Sequence, residues 1–245
     1  MIVHNKFLAV EGIDGAGKRT QIELLCKLLD ERGVPYQRFS FPRYTSFYGR
    51  MVGQFLNGEF GSLAEVDAHF SALLYAGDRL EAREELEAAL EKGLVVVADR
   101  YVASNLAHQG ARVETAKREA FLQWLRELEY KVHKIPAEEL IVLLRVPAAQ
   151  AQLLVEQKGK RDYTRMKKDI QEADLKHLEE AARVYDRLAQ ESHWLTIECF
   201  DAAAGKLRPP LEIHEELAAK IEARAGYLVR PERKRGFAPT DPPRI

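Results

Sequence analysis

The stretch Gly12-Ile13-Asp14-Gly15-Ala16-Gly17-Lys18-Arg19-Thr20 follows the short apolar run Phe7-Leu8-Ala9-Val10-Glu11 and leads into a segment with helical periodicity. Glycines at 12, 15 and 17 let the backbone curl and turn successive N–H donors toward an anion. The helix that follows presents its positive end to the same place. Lys18 adds a point charge suited to the β- and γ-phosphates of a nucleotide, whose repulsion must be relieved during transfer. The pattern G-x-x-x-x-G-K-[ST] is met except at its last position, where Arg19 replaces the hydroxyl that normally meets Mg²⁺ and Thr20 comes one residue later. Strand, turn and helix in this order separate it from a glycine-rich turn that binds nothing. Gly12, Asp14, Gly15, Ala16, Gly17, Lys18, Arg19 and Thr20 are therefore read as ATP-binding, with Lys18 catalytic.

Outward from this loop, apolar runs alternate with helical segments, as in βαβ units that build a parallel sheet. A helix is expected over about residues 18–32, stopped at Gly33. Strands are expected over 34–41, 94–98, 140–144 and 194–197. Further helices are expected over about 63–92, 117–133 and 210–224. Phe70, Leu73, Leu74, Leu80, Leu86 and Leu90 would form the apolar stripe of the long one. The fold class is α/β: a parallel sheet between helical layers, the three-layer α/β/α arrangement of P-loop nucleoside triphosphate hydrolases, with a helical lid. Residues 1–225 form one domain carrying the lid at about 156–172, and the proline- and arginine-rich stretch 226–245 is an extension.

The composition of the 245 residues narrows the partners. Hydrophobic residues make up 46%, enough for one core, and a net charge of -1 gives no global attraction to nucleic acid or membranes. No apolar run is long enough for a transmembrane helix. The start lacks a signal peptide's layout, so a cytoplasmic protein is expected. Cys26 and Cys199 read as packed, reduced thiols, and the histidines lack the paired spacing of a structural metal site.

A P-loop alone leaves kinases, GTPases, ATPases and partition factors open. The chain has no Asn-Lys-x-Asp guanine reader. In a parallel sheet, ligands bind outside the carboxyl ends of the strands, so residues 12–20, 42–44 and 99–105 should converge. That brings Lys18, Arg43 and Arg100 together, a density of cations suited to a donor and an acceptor phosphate.

The P-loop run Glu11 to Gln21, Phe41-Pro42-Arg43-Tyr44, Asp78-Arg79 and Asp99-Arg100-Tyr101, continuing to Asn105, resemble the thymidylate kinase family, in the family's order over about residues 6–200. The resemblance implies that Arg100 and Arg43 bind the acceptor phosphate, with Tyr44 near it. It implies that Tyr75 stacks on the base, that Arg79 donates to thymine O4 and that Asn105 meets the edge around N3. Asp14, Phe41, Pro42, Ser104 and Gln109 complete the substrate-binding set. The bland alternatives are a core role for Tyr75 and surface pairing for the arginines. The chain departs from the family at His108, where tyrosine commonly lies near the sugar. A sugar contact and a solvated histidine without a role are both open there, which leaves the deoxyribose preference undecided.

Lys158-Gly159-Lys160-Arg161-Asp162, with Arg165, Lys167 and Lys168, reads as a basic lid over the donor phosphates. The P-loop carries no arginine within its curl, so Arg161 is the first choice for a catalytic lid arginine and Arg165 the second. Mg²⁺ requires acidic groups: Asp14, Asp99 and Glu172 are the choices, and Glu172 could equally cap the following helix. The expected reaction is ATP + dTMP → ADP + dTDP, with Lys18, Arg100, Arg161 and Asp14 as the catalytic set. No nucleic-acid or membrane partner is expected, and the family's homodimeric habit implies a homodimer. The competing readings are a kinase for another nucleotide or a deoxynucleoside on the same fold, and a P-loop regulator without transfer.

Overall fold

In the computed structural model, residues 6–157, 171 and 174–226 are described. Five parallel strands form the sheet: β1 (Phe7–Glu11), β2 (Tyr36–Ser40), β3 (Val95–Asp99), β4 (Leu140–Arg145) and β5 (Trp194–Glu198), in the order β2-β3-β1-β4-β5. The chain leaves β1 toward β2 and β3 on one side and crosses to β4 and β5 on the other. The switch of direction at β1 opens a crevice beyond its carboxyl end. β1 is buried at every residue and β3 at all but Asp99, as strands covered on both faces should be.

Helices α1 (Lys18–Glu31), α2 (Phe47–Leu56), α3 (Ala68–Glu81), α4 (Arg83–Glu91), α5 (Val102–Gly110), α6 (Thr115–Arg126), α7 (Ala148–Gln157), α8 (Leu175–Leu188) and α9 (Pro210–Ala225) surround the sheet. On α1 the inward face is Ile22, Leu25 and Leu29. A small antiparallel pair, β6 (Phe200–Asp201) and β7 (Lys206–Leu207), follows β5.

Several boundaries differ from expectation for local reasons. The second strand begins at Tyr36 because Val34 N–H is engaged by the carbonyl of Leu29 at the end of α1, and Pro35 has no N–H to give. The long helix expected over 63–92 starts at Ala68, where Asp67 caps it by accepting from His69 N and Phe70 N, and it breaks at Ala82. Within α3, Leu74 is buried against Val52, Phe55 and Leu56 of α2, whereas Phe70 and Leu73 are exposed; beyond the break, Leu86 is buried in the main core. The helix expected over 117–133 ends at Arg126 and continues as a π-helical turn, Glu127–Val132. The wider turn shifts the helix face, so that Val132 is exposed and Glu129 fully buried. The lid and the C-terminal extension lie, apart from Gln171 and Gly226 and the end of α7, outside the described residues.

Candidate active site

Between β1 and α1 the chain turns through residues 12–17. Gly12 has φ 140°, and a Cβ there would lie 2.6 Å from the carbonyl oxygen of Leu144 at the end of β4. Gly15 has φ 91°, and its Cβ would lie 2.1 Å from the carbonyl oxygen of Ala151 in α7. Both approaches require glycine. Lys18 is buried, and its ammonium donates to the carbonyls of Gly12 at 2.8 Å and Ile13 at 3.0 Å. Burial, helped by repulsion from Arg100, lowers its pKa from 10.5 to about 8. Arg19 points away from the loop: its side chain is 81% exposed and donates to Glu23 at 2.8 Å, one turn along α1.

At the end of β3, Arg100 adopts a left-handed backbone, φ 65°, unusual for a residue with a Cβ. Its guanidinium reaches back across the sheet to the P-loop. Nη2 donates to the carboxylate of Asp14, and Nη1 lies 3.3 Å from Gly12 O, 3.1 Å from Ser104 Oγ and 3.4 Å from His108 Nε2. The conformation is held from below by Glu11. This carboxylate is fully buried and accepts from Tyr101 N at 2.7 Å, Ser104 N at 3.2 Å, Ser104 Oγ at 2.6 Å and Tyr185 Oη at 2.9 Å. Three of those donors, two of them backbone N–H groups, belong to the first turn of α5 and its approach, so a residue of β1 caps the helix that follows β3. No local side chain caps that helix.

Beyond Arg100 a cavity opens, with about 490 Å³ of space including its mouth. Asp14, Phe41, Pro42, Tyr44, Tyr75, Arg79, Arg100, Ser104, Asn105, His108 and Gln109 all line it, which unites most of the substrate-binding set expected from sequence. Arg79 is 2% exposed, and its Nε and Nη2 donate to the carboxylate of Glu129 on the π-helical turn. Asn105 Nδ2 donates to Ala72 O at 3.0 Å and to Glu129 at 3.2 Å. Both partners are acceptors, so the amide orientation is fixed and Oδ1 is left as a buried acceptor without a protein partner. Gln109 is fixed the other way round. Arg112, which can only donate, bonds its Oε1 at 2.7 Å, leaving Nε2 as a buried donor without a protein partner. Asn105 and Gln109 thus bring an unsatisfied acceptor and an unsatisfied donor to a lining whose wall includes Phe41, Leu56, Tyr75 and Tyr101, which suits a flat heterocycle with complementary edge groups.

His108 is buried at 5% exposure, which removes the solvated reading. Burial, then the Arg100 charge, hold its pKa well below the usual histidine value, so the ring is neutral at pH 7. Arg43 is not brought to the cavity. Its backbone N–H and guanidinium engage Asp78 at 2.8 and 3.4 Å, and Nη1 pairs with Glu85 at 3.2 Å. Asp99 stands at the mouth of the crevice, 3.8 Å from Arg38 and within electrostatic reach of Lys18. Arg161, Arg165 and Glu172 lie outside the described residues.

Sequence reading left four contributors without a role. Glu11 had a signal, a carboxylate ending an otherwise apolar buried strand. Glu129 had none, because it sits within a run of charged residues and only the π-helical turn buries it. His177 and Tyr185 lie on α8 in an ordinary amphipathic pattern, and both are buried behind Arg100.

The family model described as thymidylate kinase matches residues 10–202. The chain belongs to the thymidylate kinase family. It is 32% identical over 208 residues to a thymidylate kinase of Mycobacterium tuberculosis, covering 83% of this chain and 96% of that protein. A probable thymidylate kinase of Pyrobaculum aerophilum is 33% identical over 155 residues, 62% of this chain and 71% of its own. Among solved structures, a thymidylate kinase of Candida albicans superposes with a TM-score of 0.69 at 16% identity, over 90% of this chain and 92% of that one, a likeness of fold. The family match thus spans every strand of the sheet from Val10 onward, together with the P-loop and the cavity.

Proposed function

We propose that this chain transfers the γ-phosphoryl group of ATP to dTMP, giving ADP and dTDP, with Mg²⁺ as cofactor. The observation that carries the reading is the cavity beyond Arg100, an aromatic-walled space one guanidinium away from the P-loop, whose lining residues Asn105 and Gln109 carry a buried acceptor and a buried donor without protein partners. Thymine's N3–H is a donor that matches Asn105 Oδ1. Its carbonyl oxygens are acceptors that match Gln109 Nε2 and Arg79. Tyr75, in the wall, stacks on the ring, and His108 meets the sugar.

The acceptor phosphate binds at Arg100, whose links to Asp14 and to the carbonyl of Gly12 tie the acceptor position to the donor loop. Lys18 exchanges its present bonds to the loop carbonyls for phosphate oxygens. An ionised acceptor phosphate needs little base assistance, so positioning and charge neutralisation carry the catalysis. Arg19 is turned outward to Glu23, which supports lid donation of the catalytic arginine, Arg161 first and Arg165 second.

Carboxylates at the end of β3 and in the P-loop are hard oxygen donors suited to Mg²⁺. Among the described residues no cluster of three or more ligands could cage a metal. The ion would therefore be held by Asp99 or Asp14 with Glu172, together with phosphate oxygens and water, its common mode in phosphoryl-transfer sites. When bound, it neutralises charge on the β- and γ-phosphates.

A homodimer and a cytoplasmic location complete the reading. Exposed Leu73, with the exposed Phe60–Phe70 pair at 5.8 Å, supports association through α3, and none of the described helices is long and apolar enough to cross a membrane. ADP release, measured with ATP and each of dTMP, dUMP, dCMP, dGMP and UMP, tests the reaction. Sedimentation of wild type against Leu73→Glu tests the assembly.

A further inference from the structure

Behind Arg100 lies a pair of buried histidines on different helices. His108 Nδ1 is 3.4 Å from Nε2 of His177, the rings are 5.5 Å apart, and both residues are at least nine-tenths buried. His177 belongs to the first turn of α8, where Asp174 Oδ1 accepts from its backbone N–H at 3.1 Å. It does not line the cavity.

The donors along this line have only one consistent arrangement. Arginine has donors and no acceptor, so at 3.4 Å from Arg100 Nη1 the His108 Nε2 must present its lone pair. The proton of neutral His108 then sits on Nδ1 and points at His177 Nε2, which must accept. The proton of His177 is thereby placed on its own Nδ1. Burial pushes His108 well below its ordinary pKa and His177 to about 4, which agrees with two neutral rings at pH 7. The opposite tautomer of His108 would aim an N–H at the guanidinium and leave two donors facing each other.

We propose that His177 is a positioning residue for phosphoryl transfer: by accepting from His108 Nδ1–H it stabilises the one His108 tautomer that presents an acceptor to Arg100, and so helps hold the guanidinium at the acceptor-phosphate position. The proposal rests on the assignment of Arg100 to the acceptor phosphate. It adds a requirement that no cavity-lining residue reveals: the start of α8 sets the aim of a cation at the end of β3. Ser104, Gly12 and Asp14 also hold Arg100, so the loss of one of its supports weakens acceptor binding without abolishing transfer.

The experiment uses the full-length protein labelled with ¹⁵N and a two-bond ¹H–¹⁵N correlation of the imidazoles at pH 7, assigned with His108→Gln and His177→Gln. In wild type, His108 should read as protonated at Nδ1 and unprotonated at Nε2. A His108 protonated at Nε2, or doubly protonated, overturns the proposal with no mutant needed. In His177→Phe the His108 signals should shift away from the pure Nδ1–H form. The KM for dTMP should rise about ten-fold, the equivalent of one hydrogen bond, with the KM for ATP unchanged. His177→Gln, which retains an acceptor, should recover most of that loss. A folded His177→Phe with wild-type KM for dTMP, or a His177→Gln no better than His177→Phe, refutes the role. A wild-type enzyme with the expected tautomer and no dTMP turnover would instead refute the assigned reaction.

Discussion

Base recognition can be probed at Asn105 while both members of the adjacent ion pair are kept, Glu129 losing only its hydrogen bond from Asn105 Nδ2. Arg79 is the more obvious target, but it neutralises Glu129, a carboxylate with no exposed surface. Removing one member of such a buried pair costs about 3–5 kcal/mol of stability, which would obscure any specificity effect. Asn105→Ala leaves Arg79 on Glu129 and deletes Oδ1, a buried acceptor without a protein partner on a cavity-lining residue. In the mutant, thymine N3–H would be buried without a partner, a loss of about 1–3 kcal/mol, or roughly five- to 150-fold in kcat/KM for dTMP. Cytosine presents a lone pair at N3, which the wild-type Oδ1 repels, so dCMP should be used no worse and even slightly better by the mutant. The assay is coupled ADP release with each nucleotide, alongside thermal unfolding to confirm that the fold survives. A dTMP to dCMP preference unchanged from wild type would refute the placement of the base edge against Asn105.

Lys18→Met should abolish turnover. It should also stabilise the ligand-free protein at pH 7, because the wild-type ammonium is buried and its pKa falls from 10.5 to about 8, an opposing contribution on the order of 3 kcal/mol at most. The unfolded chain binds more protons between those values, so wild-type stability should rise with pH from about 8 to 10.5. The advantage of Lys18→Met should therefore vanish above that window; denaturant titrations at several pH values check both signs. Glu11→Gln places an amide donor among four donors and should lower Tm by several degrees, with kcat/KM for dTMP falling as Arg100 loses its support, read by calorimetry and kinetics. Arg161→Ala should depress kcat on the order of 10³-fold while leaving the KM for ATP nearly unchanged, as for a group engaged mainly in the transition state. Full turnover in Arg161→Ala, Arg165→Ala and the double variant would exclude lid donation. His108→Tyr should raise the ratio of dUMP to UMP use if the ring faces the ribose.

The parts of this molecule that were legible in its sequence are those where neighbouring residues decide the structure. The strand before Gly12, the glycines of the curl, the helix after Lys18 and the buried run Val95 to Ala98 each carry their own periodicity or turn chemistry. What stayed hidden depends on contacts between distant segments. Helix α5 has no capping residue of its own and is capped by Glu11, about ninety positions earlier. Glu129 is buried because a π-helical turn moves it from the charged face to Arg79. Phe70 and Leu73 satisfy helical spacing but are exposed, since α3 buries Leu74 against α2 instead. Within the site, Tyr75, Arg79 and Asn105, expected around the base, line one cavity, and His108, left open by the sequence, lines it too. The pairing of Arg43 with Asp78 and Glu85 was not legible, because those partners arrive from α3 and α4, thirty-five and forty-two positions away.

The central claim, that the cavity beyond Arg100 accepts dTMP as a phosphoryl acceptor from ATP, is tested most directly by product analysis. Purified protein, ATP labelled at the γ-phosphate and Mg²⁺ are incubated with equal concentrations of dTMP, dUMP, dCMP, dGMP and UMP, and the labelled diphosphates are separated. The account expects label chiefly in dTDP, in an amount matching ADP, and none in the Lys18→Met protein. Label in none of the diphosphates, or dCDP formed in preference to dTDP, would contradict it.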